Sequence, residues 1–268
     1  MSTKVLRILT GIGLAALVVP LVIIGKLPFD IFIMVLFTGA MYEFLRLKQC
    51  NWITKAVSII TVAGITVLTR FHIHNDFSLP YFKILFAILV FSLIFLSLSY
   101  FIDDKLNGND VFLLFTMLLI YTASSYALLT LNAYEGAYRY LLIALLFLPT
   151  VVCDTAAYAF GSKFGKTKYI KKISPNKSLE GSIAGYVFGL AMGLIILAIG
   201  HKYFTWQLLG AAFVIPVTCQ IGDLFFSSIK RLHSAKDFSN LLPGHGGIND
   251  RMDSLIIDSI VLLAFILF

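Results

Sequence analysis

Long apolar runs broken by short polar clusters organise this chain. Nine stretches are close to twenty residues long and nearly free of charge: about 8–25, 27–45, 52–69, 81–102, 111–131, 140–160, 182–200, 203–226 and 252–268. The third is the poorest match, because Lys55 trims its apolar core. A helix rises ~1.5 Å per residue and the hydrocarbon layer of a bilayer is ~30 Å thick, so runs of this length predict membrane spans. Within lipid every backbone N–H and C=O must find an internal partner, which leaves a helical bundle as the architecture. The pattern therefore predicts an all-α polytopic membrane helical bundle of about nine transmembrane helices. No fixed-period repeat, low-complexity tract or linker separates a soluble domain. Residues 1–268 read as a single integral membrane domain, with spans one to five over 1–135 and spans six to nine, carrying two basic loops, over 136–268. Lys4 and Arg7 precede the first run without a small-residue cleavage signal behind it, so that run reads as an uncleaved span.

Composition sharpens this picture. Hydrophobic residues make up 59% of the chain and charged residues 13%, about half the ~25% charge of soluble domains. These values rule out a soluble enzyme, a disordered chain and a nucleic-acid reader, in spite of the net charge of +7. Cys50, Cys153 and Cys219 stand far apart with no CxxC spacing, which excludes a disulfide scaffold and a cysteine-rich zinc site. Cys153 and Cys219 lie in apolar runs, where a free thiol behaves as a small hydrophobe.

The cations are not evenly spread. With nine spans, sixteen of the 21 Lys and Arg residues fall on the side of the N-terminus, and Lys26, Arg70, Lys83, Arg139 and Lys202 fall on or near the other. Cytoplasmic loops carry the excess of Lys and Arg. The N-terminus and the two long basic loops are therefore expected in the cytoplasm, and the C-terminus outside. Orientation and attraction to anionic headgroups account for Lys4, Arg7, Arg46, Lys48 and Lys55. They account less well for the two later loops, where cations are interleaved with carboxylates, glycines and prolines.

Charges inside lipid are costly and usually functional, so the carboxylates carry information. Asp154 and Asp223 occupy matching depths near the cytoplasmic ends of spans six and eight, Asp250 and Asp253 stand where span nine begins, and Asp258 lies deeper within it. Three helices can thus bring carboxylates to one level. The loop after span eight joins these to Lys230, Arg231, Lys236 and Arg251, cations suited to phosphate oxygens. Its Gly244, Gly246 and Gly247 let backbone N–H groups approach an anion. Asp223, Asp250 and Asp253 supply the hard oxygen ligands that Mg²⁺ prefers when it also holds substrate phosphates. The loop after span six holds six lysines, Lys163 to Lys177, and ends at Ser178, a candidate cap for span seven. Two such loops on one face point to phosphoryl or nucleotidyl transfer with a triphosphate site. No Ser-His-Asp or Cys-His nucleophile arrangement is evident.

At these residues the sequence resembles the phosphatidate cytidylyltransferase (CDP-diacylglycerol synthase) family. The signature of that family is met at each specified position from Ser227 through Lys230-Arg231, Lys236-Asp237, His245-Gly246-Gly247 and Asp250-Arg251 to Asp253. The runs Asp154 to Tyr158, Phe164 to Lys166 and Ser174 to Gly181 also look like recurring segments of the family, with Ser178 where Thr is commoner and Asn176 where Lys is common. The first five spans match only in being apolar.

The resemblance implies that CMP passes from CTP to phosphatidate at the cytoplasmic leaflet of the cell (inner or plasma) membrane, giving CDP-diacylglycerol and pyrophosphate. It implies Mg²⁺ as cofactor, with a two-cation arrangement also compatible, and a homodimer. On this reading Asp223 and Asp250 hold the cation, with Asp253 as a ligand or close partner. Lys230, Arg231 and Arg251 hold phosphates. Asp154, Lys166, Lys177, Ser178, Glu180, Ser227, Lys236, His245, Gly246 and Gly247 complete the substrate site. Two rivals remain open: a CTP-dependent lipid kinase of the polyprenol type, and a transporter of an anionic solute, which would place its charges nearer the bilayer midplane. Gly181, Gly185, Gly189 and Gly193 form a smooth stripe at spacing four, fit for close helix packing within the subunit or between two subunits.

Overall fold

The computed structural model describes residues 3–74, 81–102, 106–244 and 246–268, with the side chains of 3–9 and 102 outside that description. Lys105 and His245 therefore lie outside the described residues. Among the described residues nine α-helices follow one another: α1 (Thr3–Ile24), α2 (Lys26–Lys48), α3 (Trp52–His74), α4 (Tyr81–Ile102), α5 (Gly108–Ala133), α6 (Gly136–Phe164), α7 (Leu179–Ile199), α8 (Trp206–Leu232) and α9 (Asn249–Leu267). Each predicted span coincides with one of them, the Lys55-bearing third included. Among the described residues seven of them, α2 to α8, are long and apolar enough to cross a membrane. The described side chains of α1, Thr10–Ile24, form an apolar segment as well. In α9, Asp250, Arg251, Asp253 and Asp258 fall within 19 residues, more charge than a lipid-facing segment carries. Large side chains such as Phe82, Phe86, Phe91 and Phe101 stand exposed along α4, an arrangement stable in lipid and not in water. This is a multi-pass membrane protein.

By their contacts the residues form two compact units, Met1–Ala133 with Asp237–Arg251, and Tyr134–Lys236 with Met252–Phe268. In the first, α2, α3 and α5 pack on one another, with α4 against α3 and α5, and α1 against α2. Phe29, Ile33, Phe37, Met41 and Phe44 of α2, Val62 and Ile65 of α3, and Leu114, Met117, Leu118 and Tyr121 of α5 are buried in it. The buried Asp30 carboxylate accepts from Arg70 Nε at 3.1 Å and Asn132 Nδ2 at 2.8 Å, and lies 3.2 Å from His74 Nε2.

In the second unit α6, α7 and α8 pack mutually, α6 against α7 most extensively. The glycine stripe explains how. A Cβ on Gly185 would lie 2.9 Å from Cys153 O, one on Gly189 3.1 Å from Pro216, and one on Gly193 3.1 Å from Ala212 Cβ. The stripe is thus consumed inside the subunit, between α6 and α8. Asp258 of α9 is fully buried and accepts from Thr150 Oγ1 of α6 at 2.7 Å and Thr218 Oγ1 of α8 at 2.6 Å. A hydroxyl on each carboxylate oxygen replaces the water lost on burial.

Candidate active site

The C-terminal end of α6, the N-terminal end of α7, the C-terminal half of α8 and the loop joining α6 to α7 enclose a cavity of about 470 Å³, lined among others by Asp154, Lys168, Lys177, Ser178 and Asp223. That volume lies in the range of small-ligand sites. The loop is held in place by the start of α7. Ser178 Oγ caps the helix by accepting from Gly181 N at 3.3 Å, as its position predicted. The Glu180 carboxylate accepts from Lys166 N at 3.2 Å and Thr167 N at 3.1 Å, and Leu179 N donates to Thr167 O at 2.9 Å. Lys168 Nζ donates to Asn176 O at 2.7 Å. A Cβ on Gly165 would collide with Gly161 O and Ser178 Oγ, so only glycine lets the chain leave α6 here.

Three carboxylates gather beside this cavity. Asp223 Oδ2 pairs with Lys177 Nζ at 2.7 Å, and its Oδ1 accepts from Ser227 Oγ at 3.1 Å. Asp154 Oδ1 accepts from Cys219 Sγ at 3.3 Å. Asp253 Oδ1 accepts from Ser254 N at 2.9 Å. Gly222 makes the meeting possible, since a Cβ there would lie 2.9 Å from Asp253 O and 3.1 Å from Ser254 Cα. Asp154 and Asp253 each feel the charge of Asp223, and the buried Lys230 acts on Asp253 with the opposite sign. Clustered like charges repel, and a cation among them relieves the repulsion. Among the described residues no three acidic, His or Cys side chains close into a metal cage. The donor chemistry nevertheless suits Mg²⁺, which binds through one or two carboxylates and keeps waters and substrate phosphates as its other ligands. Arg231 lies outside the cavity lining; its Nε donates to Ile173 O at 3.2 Å and its Nη1 to Ala235 O at 2.8 Å, tying the two basic loops together. The side chains of Lys166 and Lys236 are exposed.

The glycine loop belongs to the other unit. Leu242 N donates to Gly246 O at 2.8 Å, closing a turn in which Gly244 and Gly246 have φ of 77° and 82°, a region that favours glycine. Asp250 folds the loop onto α9, its Oδ2 accepting from Phe238 N at 2.8 Å and Gly247 N at 2.9 Å. Arg251 is exposed. His245 falls outside the described residues. Three residues absent from the sequence reading organise this loop: Glu43 of α2, Tyr121 of α5 and Asn249. Tyr121 Oη donates to Asn249 Oδ1 at 2.6 Å, and Asn249 Nδ2 donates to Ala40 O at 2.7 Å. A carboxylate inside the apolar run of α2 is the signal that could have found Glu43.

Residues 5–268 match the cytidylyltransferase family. The chain belongs to that family. It is 32% identical over 261 residues to the phosphatidate cytidylyltransferase of Bacillus subtilis (strain 168), covering 93% of each chain. It is 31% identical over 252 residues to that of Staphylococcus aureus (strain COL) and 30% identical over 255 to that of Staphylococcus saprophyticus, each covering 93% of this chain and 94% of the relative. Against this cytidylyltransferase background, the structure brings Asp154, Lys177, Ser178, Asp223, Ser227, Lys230 and Asp253 into one region. It uses Glu180 to fold the lysine loop and Asp250 to fold the glycine loop.

Proposed function

We propose that this chain is a phosphatidate cytidylyltransferase, which transfers CMP from CTP to phosphatidate and gives CDP-diacylglycerol and pyrophosphate. The observation that carries the proposal is relatedness over nearly the whole length to proteins of that name. A phosphate oxygen of the lipid attacks the α-phosphorus of CTP, and the bond to the β-phosphate oxygen breaks as pyrophosphate leaves. Such a displacement asks the protein mainly for positioning and charge neutralisation. The lipid phosphate is already ionised near neutral pH, so no general base is assigned.

In this reading Asp223 and Asp250 hold Mg²⁺, with Asp253 as a ligand or close partner. The ion supplies charge neutralisation on the reacting phosphates, and a second cation fits the same chemistry. Lys230, Arg231 and Arg251 grip phosphates. Asp154, Lys166, Lys177, Ser178 and Glu180, with Ser227, Lys236, His245, Gly246 and Gly247, shape the substrate site. The ion pair between Lys177 and Asp223 supports this division, since a triphosphate entering the cavity would give Lys177 a new partner and free Asp223 for the cation. The basic loops face the cytoplasm, where CTP is found. A homodimer, implied by the family resemblance, belongs to the same proposal.

Purified protein supplied with labelled CTP, phosphatidate and Mg²⁺ should release pyrophosphate and form CDP-diacylglycerol in equal amounts. Release of CDP with a newly phosphorylated lipid would instead identify a lipid kinase.

A further inference from the structure

Glu43 lies in α2, five residues before its end, with only 4% of its surface exposed. Among the described residues no Lys or Arg pairs with it. Its compensation comes from four hydrogen-bond donors, two on each oxygen. Ser239 Oγ and Ile248 N donate to Oε1 at 2.6 and 2.9 Å. Asn249 N and Asn249 Nδ2 donate to Oε2 at 3.1 and 3.4 Å. Two of these donors are backbone N–H groups at the beginning of α9, so Glu43 caps that helix from another part of the chain and meets the positive end of its dipole. The fit is close. A Cβ on Gly247 would lie 2.5 Å from Glu43 Oε2, and a Cβ on Gly39 would lie 2.7 Å from Ile248 Cδ1. Asn249 is held from its other side by Tyr121 and Ala40.

The residues that follow are those to which the cytidylyltransferase reading gives chemistry. Asp250 is the next residue after Asn249 and turns back onto Gly247, while Arg251 N donates to Ile248 O at 3.0 Å. We propose that Glu43 is a positioning residue for this reaction: its buried carboxylate fixes the glycine loop and the first turn of α9, and so aims Asp250 and Arg251. The inference rests on the activity proposed above. A linkage serving stability alone would not need a charge, because apolar packing joins helices at least as well. What apolar packing cannot do is orient four donors at once.

The test compares full-length wild-type protein with Glu43→Gln, Glu43→Asp and Ser239→Ala in detergent micelles or lipid nanodiscs. Gln offers one acceptor oxygen, and its NH₂ group faces two of the four donors. Glu43→Gln should lower kcat about tenfold to a hundredfold and raise the half-saturating Mg²⁺ concentration several-fold, as loss of a carboxylate that orients a ligand does. Amide hydrogen exchange should accelerate in 239–251 and stay at the wild-type rate in α3 and α5. Glu43→Asp keeps the charge and should recover part of kcat. Ser239→Ala removes a single donor and should shift kcat and half-saturating Mg²⁺ by about two- to fivefold; should Glu43→Gln fail to accumulate, this pair decides the matter.

Unchanged kcat, Mg²⁺ dependence and loop exchange in folded variants overturn the inference. So does exchange that quickens equally through α2, α3 and α5 with unaltered Mg²⁺ dependence, because that describes general loosening. Inactivity of the wild-type protein on CTP and phosphatidate refutes the proposed reaction itself, a result visible before any variant is made.

Discussion

The backbone N–H groups of Phe238 and Gly247 converge on one oxygen of the Asp250 carboxylate. An asparagine carbonyl can take that place, so Asp250→Asn removes the charge and keeps these two hydrogen bonds. This separates two duties that a larger substitution would confuse. If Asp250 serves the cation, turnover in Asp250→Asn should fall on the order of a hundredfold or more, comparable to loss of a central electrostatic contact in other active sites. Expression, membrane insertion and thermal unfolding should remain near wild type. Wild-type-like turnover would remove Asp250 from the cation site and leave it a loop-folding residue. Glu180 shows why such a distinction matters. Its place beside the lysine loop suggests contact with substrate, yet its carboxylate is engaged by Lys166 N and Thr167 N. Residue type and spacing mark both acids as significant without saying whether they hold a ligand or hold the loop that does.

The helices were the most legible part of the chain. Runs of apolar residues near bilayer length located all nine, and Ser178 announced the start of α7. Their pairing was less legible. The stripe from Gly181 to Gly193 said that something approaches closely without saying what, since a neighbouring helix and a second subunit make the same demand. The structure gives the stripe to α6 and α8. Glu43 was harder still, because its partners Ser239, Ile248 and Asn249 lie about two hundred residues away and none has a charge to advertise the pairing. Helix packing carries its own prediction. Gly185→Ala places a methyl group 2.9 Å from Cys153 O, against backbone that cannot rotate aside. It should cost about 1–3 kcal/mol of stability, as overpacking does, and lower the thermal midpoint in detergent. Gly64→Ala is the matched control, since nothing lies within 4 Å of its added carbon. There the better helix propensity of alanine, up to ~1 kcal/mol, should leave stability equal or slightly raised. Equal losses at both sites would mean that α6 and α7 do not pack along the stripe.

At the scale of the whole molecule, the asymmetry of Lys and Arg predicts which face meets the nucleotide. Phosphatidate is confined to the bilayer surface, but CTP must arrive from the cytoplasm, so a sidedness opposite to the charge rule would leave the cavity facing a compartment without substrate. The protein lends itself to a direct measurement. Its three cysteines, Cys50, Cys153 and Cys219, are all buried, so the native thiols give little background toward a water-soluble maleimide. Lys171 in the loop after α6 and Lys202 in the turn after α7 are both exposed and occupy opposite sides in the charge count. An impermeant maleimide added to intact cells should label Lys202→Cys and spare Lys171→Cys. Inside-out vesicles should reverse the pattern. Lys171 is one of six lysines in its loop, so losing one leaves the excess of positive charge intact and the orientation undisturbed. Labelling of Lys171→Cys from outside would put the lysine loop, and the cavity it lines, out of reach of CTP.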